Sequence, residues 1–283
     1  MGEYRALWAA QLASVAGDQL ARVALTVLVY ARTGSAFLAA VTFVASIIPV
    51  FLGGITLAGL ADRFPRRTVM IACDVARCLL VLVMVLPGMP VAALVILLFL
   101  VTLLAAPFTA ARAAVYPDVL PGERYATGQA ITQTTNQFAQ MVGFALGGAV
   151  VAFLGTRVSL VADAATYAVS AAIVRAWVRQ RPAPVAKPGE RGSQEGSFGA
   201  KSTFGGAVRL VLGTPALRLP MCLGWLAAFY NVAEGLAAPL ARSLSGGSAA
   251  VGVILAAQVL GESAGMLVFG RFVSPAARAR WTG

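Results

Sequence analysis

Histidine is absent from the 283-residue sequence, and cysteine is scarce, with three residues. The lack of histidine excludes Ser–His–Asp and Cys–His hydrolases, histidine-dependent zinc sites and histidine proton relays. Charged side chains make up only 12% of the chain, about half the share of roughly 25% found in soluble proteins. Lysine is almost missing, because Lys187 and Lys201 are the only two among 22 basic residues. These shortages exclude an ordinary soluble enzyme.

Apolar side chains are correspondingly abundant. They make up 59% of the chain, and the mean hydropathy is +0.82. Intrinsic disorder is excluded because it requires low hydrophobicity, and a soluble fold would expose large apolar patches to water. One helical span of a bilayer needs about 20 mostly apolar residues. Eight segments meet that need and predict an all-α integral membrane protein: residues 6–31, 36–58, 68–87, 91–116, 125–154, 158–178, 215–241 and 249–272.

The arginines are concentrated in alternate connectors between these spans. If the N-terminus is cytoplasmic, the outer connectors contain only Arg32, Arg157 and Arg242. The inner side then contains Arg5, Arg63, Arg66, Arg67, Arg124, the stretch from Arg175 to Arg209, and Arg271, Arg278 and Arg280. Basic residues on one side orient multi-pass proteins. The pattern therefore predicts a multi-pass protein of the inner cell membrane with both termini in the cytoplasm. The net charge of +11 is explained by this orientation, and no nucleic-acid partner is expected.

One long polar break divides the chain. Pro, Gly, Ser and both lysines gather after residue 178, and a short amphipathic stretch follows before the next apolar span. These patterns are typical of a flexible linker and of a helix at the membrane surface. We predict a six-helix transmembrane half (1–178), a cytoplasmic linker with a short amphipathic helix (179–214) and a two-helix segment (215–283).

The sharpest local pattern is the connector GLADRFPRR, from Gly59 to Arg67. A loop with excess positive charge accounts for its arginines, but not for the spacing of Gly59, Asp62 and Arg63. Further charges lie inside or at the ends of the neighbouring spans: Asp74, Arg77, Arg112 and Asp118. Charges at such depths are expected to pair with one another.

With these residues the chain resembles the major facilitator superfamily of secondary transporters. That family carries a glycine followed by Leu-Ala-Asp-Arg and a pair of arginines between its second and third helices, although Pro65 stands where the family usually has Gly. The fifth span resembles the glycine-rich helix of the exporters, with Gly143, Gly147 and Gly148 in helix packing. The pattern is most similar to the bacterial branch of siderophore exporters and macrolide-efflux proteins.

The resemblance implies a helical bundle of a full six-helix N-terminal half and the first two helices of a C-terminal half. The family has twelve helices, so we interpret this chain as truncated after the eighth. The resemblance also implies a gating charge network that holds the two halves together in one access state. The alternative is that these residues are only surface charges. The network comprises Gly59, Asp62, Arg63, Arg66, Arg67, Asp74, Arg77, Arg112 and Asp118.

Other polar residues are candidates for a substrate and proton pathway. Asp18 and Arg22 are four apart on the first span and are expected to form a local ion pair, which either binds substrate or is structural. Intramembrane carboxylates are functional candidates by default, and Asp163 is interpreted as a packing group. The spacing of Gln129, Gln133, Gln137 and Gln140 predicts one polar face. The pathway residues are Asp18, Arg22, Gln133, Gln137, Glu234 and Glu262.

The resemblance implies a secondary active transporter, with proton-driven efflux of a drug-like or siderophore-like small molecule by alternating access. Asp18 and Glu234 are the candidates for proton coupling. Two alternatives stay open: a transport-incompetent chain that acts as an assembly or regulatory partner, and a lipid flippase of the same superfamily. No enzymatic activity, cofactor or metal is expected.

Overall fold

A computed structural model describes residues 2–46, 48–57, 60–181 and 235–272. The chain divides into two compact units. The first comprises Met1–Ala183 and Glu234–Gly265, and the second comprises Pro184–Ala233 and Met266–Gly283. Only residues 266–272 of the second unit are described, and the predicted linker falls largely outside the description. The predicted three-part division of the chain therefore stays a prediction.

The described residues form helices joined by short turns, and no strand occurs among them. The expectation of an all-helical protein is therefore confirmed for this part of the chain. The helices are α1 (Gly2–Thr33), α2 (Ala36–Val44), α3 (Ile48–Thr56), α4 (Leu60–Arg63), α5 (Arg66–Met84), α6 (Val91–Leu103), α7 (Ala105–Val119), α8 (Glu123–Trp177), α9 (Ala237–Ser243) and α10 (Ser248–Phe272).

The longest helix, α8, is broken at one residue. Gly155 has φ 83° and ψ 170°, a combination that is accessible to glycine because it has no Cβ. The break divides α8 into a first arm (123–154) and a second arm (156–177). The two arms correspond to two of the predicted spans, 125–154 and 158–178, which lie on either side of Gly155.

The two arms run in opposite directions along α1. Tyr4 donates to the carbonyl of Gly128 at 3.0 Å and Trp8 donates to Thr135 at 2.8 Å, so the first arm runs parallel to α1. The backbone N–H of Arg179 donates to Glu3 at 3.0 Å, so the second arm returns to the end where α1 begins. We call this end of the first unit the near end, and the opposite end, where Gly155 lies, the far end.

Four stretches of the described chain are long and apolar enough to cross a membrane: Gly2–Thr33, Val91–Val119, Thr127–Trp177 and Ser248–Gly265. Thr127–Trp177 alone has 51 residues, about twice the length that one span needs. Helix α5 has 19 residues but contains Asp74 and Arg77 in its interior. The chain is thus a multi-pass helical membrane protein, and the predicted number of eight spans stays a prediction.

Helix α1 lies at the centre of the packing in the first unit. It contributes to all three clusters of buried apolar residues, through Leu7 at the near end, Val23 beside α9 and α10, and Leu25 beside α5 and α6. Helices in a bilayer gain little from hydrophobic burial, so close contact through small residues has to hold them together. A Cβ on Gly143 would lie 2.9 Å from the carbonyl oxygen of Ala16, which brings α1 and the first arm into backbone contact.

A second close contact joins the first arm to α10. A Cβ on Gly252 would lie 2.6 Å from the carbonyl oxygen of Phe144 and 2.7 Å from the Cα of Gly148. Both atoms belong to the backbone, so neither can rotate away. Gly147 packs on Val23 of α1 instead, where a Cβ would come within 3.2 Å. The glycines of the first arm therefore face two different helices.

We predict that Gly252→Leu destabilises the protein far more than Gly261→Leu. Both glycines lie in α10, but a Cβ on Gly261 meets nothing within 4 Å. Overpacking costs on the order of 1–3 kcal/mol, which should lower the thermal unfolding midpoint of Gly252→Leu in detergent by several degrees. Size-exclusion chromatography after heating measures this midpoint. Equal midpoints for the two variants would contradict the close contact.

Candidate functional site

A buried charge cluster lies where α1, α5 and the second arm of α8 meet. Arg77 donates from Nη2 to Oδ1 of Asp18 at 3.2 Å, and its Nη1 lies 3.6 Å from Oδ1 of Asp74. The side chain of Arg77 is 4% exposed and that of Asp74 is fully buried, whereas that of Asp18 is 27% exposed. One guanidinium is therefore shared by two carboxylates, of which only that of Asp18 is accessible.

The second arm supplies hydroxyl partners to this cluster. Tyr167 donates to Oδ1 of Asp18, and its ring lies beneath the Arg77 guanidinium, 4.2 Å from Cζ to the ring centroid. Ser170 donates to Oδ2 of Asp74 at 2.5 Å. Each carboxylate that contacts Arg77 therefore also accepts a hydrogen bond from the second arm.

A third carboxylate completes the cluster. Asp163 is 1% exposed, and its Oδ1 has no hydrogen-bond partner among the described residues. The backbone of α1 comes close to it, since a Cβ on Gly17 would lie 2.6 Å from that oxygen. Gly17 is therefore the residue that lets Asp163 approach α1 next to Asp18.

A cavity of about 80 Å³ opens onto the cluster. Its apolar lining comes from α1, α5, α6 and α7, and its polar lining comes from Asp18, Arg22, Arg77, Thr102, Asp163 and Tyr167. Such a cavity has room for a few water molecules. In the described part of the chain, no three His, Cys, Asp or Glu side chains lie close enough to hold a metal ion.

The expected local pair of Asp18 and Arg22 is wrong. Both residues line the cavity, but among the described residues the ion pair of Asp18 is with Arg77 of α5. Asp18 pairs with Arg77 because a buried guanidinium without a partner costs more free energy than a partly exposed one such as that of Arg22. Asp74 and Arg77, which were expected in the gating charge network, belong instead to the cluster around Asp18. Among the described residues neither of them pairs with Arg66, Arg67 or Asp118.

A separate chain of ion pairs lies at the near end. Arg66 lies 3.1 Å from Asp118, Arg181 lies 3.8 Å from the same carboxylate, and Arg181 also binds Glu3 at 2.7 Å. The hydrogen bond from Arg181 to Glu3 raises the pKa of that guanidinium above its usual range. The starts of α1 and α5 are thereby joined to the ends of α7 and α8.

The other predicted members of the gating charge network are more scattered. Arg67 donates to the backbone carbonyl of Arg175, and Arg63 is exposed. Arg112 is 8% exposed and lies 5.8 Å from the ring centroid of Tyr116. Its Nε and Nη1 have no hydrogen-bond partner among the described residues. Gly59 and the side chain of Asp62 lie outside the described part of the chain.

The predicted pathway residues on the other helices are not gathered at the cluster. Gln133 is exposed, and Gln137 accepts a hydrogen bond from Gln140 at 3.0 Å. Glu262 is half-buried and has no ion pair among the described residues. Glu234 lies outside the described residues.

Sequence reasoning missed Tyr167 and Ser170, and it named Asp163 only as a packing group. A signal for all three was present, because Asp163, Tyr167 and Ser170 are spaced at i, i+4 and i+7 and so share one face of a helix. Polar groups in a row along an apolar helix are expected to face other helices rather than lipid.

These observations define a multi-pass helical membrane protein with a charged centre between its helices. The chain matches the family model of the Major Facilitator Superfamily over residues 7–282, and it belongs to that superfamily. Members of this family are membrane transporters of small molecules rather than enzymes, and the chain is in that general class. No curated protein matches the chain.

We predict that Arg77→Gln destabilises the protein strongly and that Arg66→Gln does not. Removing one partner of a buried pair costs about 3–5 kcal/mol, whereas a partly exposed pair contributes about 0–1 kcal/mol. Both arginines lie in α5, but Arg77 is buried between two aspartates and Arg66 is partly exposed beside one, so the comparison contrasts a buried ion pair with a partly exposed one. Thermal unfolding midpoints in detergent check it, and Arg77→Gln combined with Asp74→Asn should recover part of the loss.

Proposed function

We propose that the chain is a secondary active transporter that exports a drug-like or siderophore-like small molecule in exchange for protons, by alternating access. The observation that carries this proposal is the shared guanidinium of Arg77, held between Asp18 and Asp74 beside a cavity. An ion pair with a purely structural role does not need a carboxylate that faces a cavity, as that of Asp18 does.

The cluster can couple the binding of a proton to a conformational change. A proton on Asp18 removes the charge that binds Nη2 of Arg77, and Arg77 is then left with Asp74 as its charged partner. Asp18 lies on α1, and Asp74 and Arg77 lie on α5, so this exchange loosens one contact between the two helices. The accessible carboxylate of Asp18 is the proton acceptor in this proposal, because the buried Asp74 has no open route to water.

We further propose that the near end is cytoplasmic, in an inner cell membrane, and that its ion pairs form the gate. Arg66, Arg67, Arg175 and Arg181 gather there, whereas Arg32 and Arg157 lie at the far end. The excess of basic residues at the near end agrees with the orientation rule for membrane proteins. The chain from Arg66 through Asp118 and Arg181 to Glu3 would keep that end closed in one access state.

The test is proton-driven uptake into everted membrane vesicles that contain the full chain. The probes are a cationic dye, a macrolide and a hydroxamate siderophore, each followed together with the pH of the lumen. We expect uptake of at least one probe that stops when a protonophore collapses the gradient. Asp18→Asn should reduce it to the level of vesicles without the protein, because the proton acceptor is gone.

The matched control is Glu190→Gln, which removes one carboxylate from the predicted linker and should leave uptake unchanged. Uptake that persists after addition of the protonophore would overturn proton coupling. Uptake by Asp18→Asn at the original rate would remove Asp18 from the mechanism. Movement of a fluorescent phospholipid instead of all three probes would favour a lipid flippase.

A further inference from the structure

An open groove of about 470 Å³ lies between α5 and the end of the second arm of α8. It is separate from the cavity at Asp18 and shares no lining residue with it. Its lining includes Arg67, Thr68, Ile71, Val75, Arg175 and Gln180.

The wall of this groove at the near end is positively charged. Arg67 and Arg175 line it, and no acidic residue does. The neighbouring Arg66 and Arg181 bind Asp118 and Glu3, whereas neither Arg67 nor Arg175 has an acidic partner among the described residues. Arg67 does donate to the backbone carbonyl of Arg175, which places the guanidinium of Arg67 beside the backbone of Arg175, and both residues line the same groove. The groove therefore has two guanidinium groups that no acidic side chain in the described part of the chain neutralises.

Beyond Arg67 and Thr68, the part of the groove that follows α5 is apolar. Ile71, Ala72 and Val75 continue the lining along α5, and Val75 is 45% exposed. Arg67 and Val75 are eight positions apart, which is about 12 Å along a helix. Trp177, 65% exposed, lies near Arg175, and tryptophan is typical of the membrane–water interface. A charged wall followed by an apolar floor is the order that a lipid headgroup and its acyl chain would match.

We propose that this groove binds one anionic phospholipid of the surrounding bilayer. Its phosphate would lie between Arg67 and Arg175, and an acyl chain would lie along Ile71 and Val75. Guanidinium groups bind phosphate through paired hydrogen bonds, and basic pockets between transmembrane helices are suited to anionic headgroups. The bound lipid would join α5 to the second arm, and these helices supply Arg77 and Tyr167 to the charge cluster. The proposal does not depend on what the protein transports.

The test is native mass spectrometry of the purified full chain in detergent, titrated with phosphatidylglycerol or with phosphatidylcholine. We expect one tightly retained phosphatidylglycerol and weaker retention of phosphatidylcholine. Arg175→Gln should weaken phosphatidylglycerol binding about fivefold, and Arg67→Gln with Arg175→Gln about thirtyfold, if each arginine contributes as basic residues do at an anionic surface. Arg175→Gln is the decisive variant, because it keeps the backbone carbonyl that binds Arg67.

Two further variants distinguish lipid binding in the groove from a general effect of positive charge and from misfolding. Arg157→Gln removes one arginine from the same arm of α8 at the far end, and binding should stay as in the unmodified protein. Ala72→Trp fills the apolar floor and keeps both arginines, and binding of phosphatidylglycerol should fall. Circular dichroism and size-exclusion elution check that each variant is folded.

Three results would overturn the proposal. The first is equal retention of phosphatidylglycerol and phosphatidylcholine. The second is an equal effect of Arg175→Gln and Arg157→Gln in folded protein. The third is displacement of phosphatidylglycerol by inorganic phosphate, which would make the groove a site for small anions rather than for a lipid.

Discussion

The guanidinium of Arg77 holds a positive charge inside a helical bundle, and much of the first unit is arranged around it. A charge at the centre of a membrane helix costs about 2.5–3.5 kcal/mol even by the mildest scale, so its partners have to be present whenever the bundle is assembled. They come from three elements: Asp18 from α1, Asp74 from α5 itself and Tyr167 from the second arm. If α1 or the second arm leaves, Arg77 loses one of these partners and keeps Asp74 of its own helix as a charged partner.

Small residues make this arrangement possible. The two carboxylate partners of Arg77 have short side chains, so α1 and α5 have to approach closely. Gly17 lets α1 lie beside Asp163 of the second arm. Away from the charges, Gly143 and Gly252 bring further pairs of helices into backbone contact. Polar attraction and backbone contact act together here, since hydrophobic burial contributes little to helix association in lipid.

The class of protein could largely be predicted from the sequence. The length of the apolar segments and the placement of the arginines depend on the membrane rather than on tertiary contacts. The pattern from Gly59 to Arg67 indicated the family, and the family model confirmed it. The partners within the site were harder to predict. Arg22 is the nearest basic residue to Asp18 along the helix, but Arg77, distant in sequence, is the partner in the fold. Tyr167 and Ser170 are uncharged, and only their spacing with Asp163 distinguishes them from ordinary helix residues.

The bond between Glu3 and Arg181 joins residues 178 positions apart. At synthesis rates of about 5–20 residues per second, roughly 10–40 s pass between the addition of the first partner and that of the second. During this interval α1 is made and inserted without the second arm that neutralises its end and supplies Tyr167 to Asp18. The first helix therefore precedes its partners in the membrane, although Arg77, only 59 positions after Asp18, follows well before Arg181. Its own Arg22, one turn away, is the basic residue closest in sequence to Asp18 during that time.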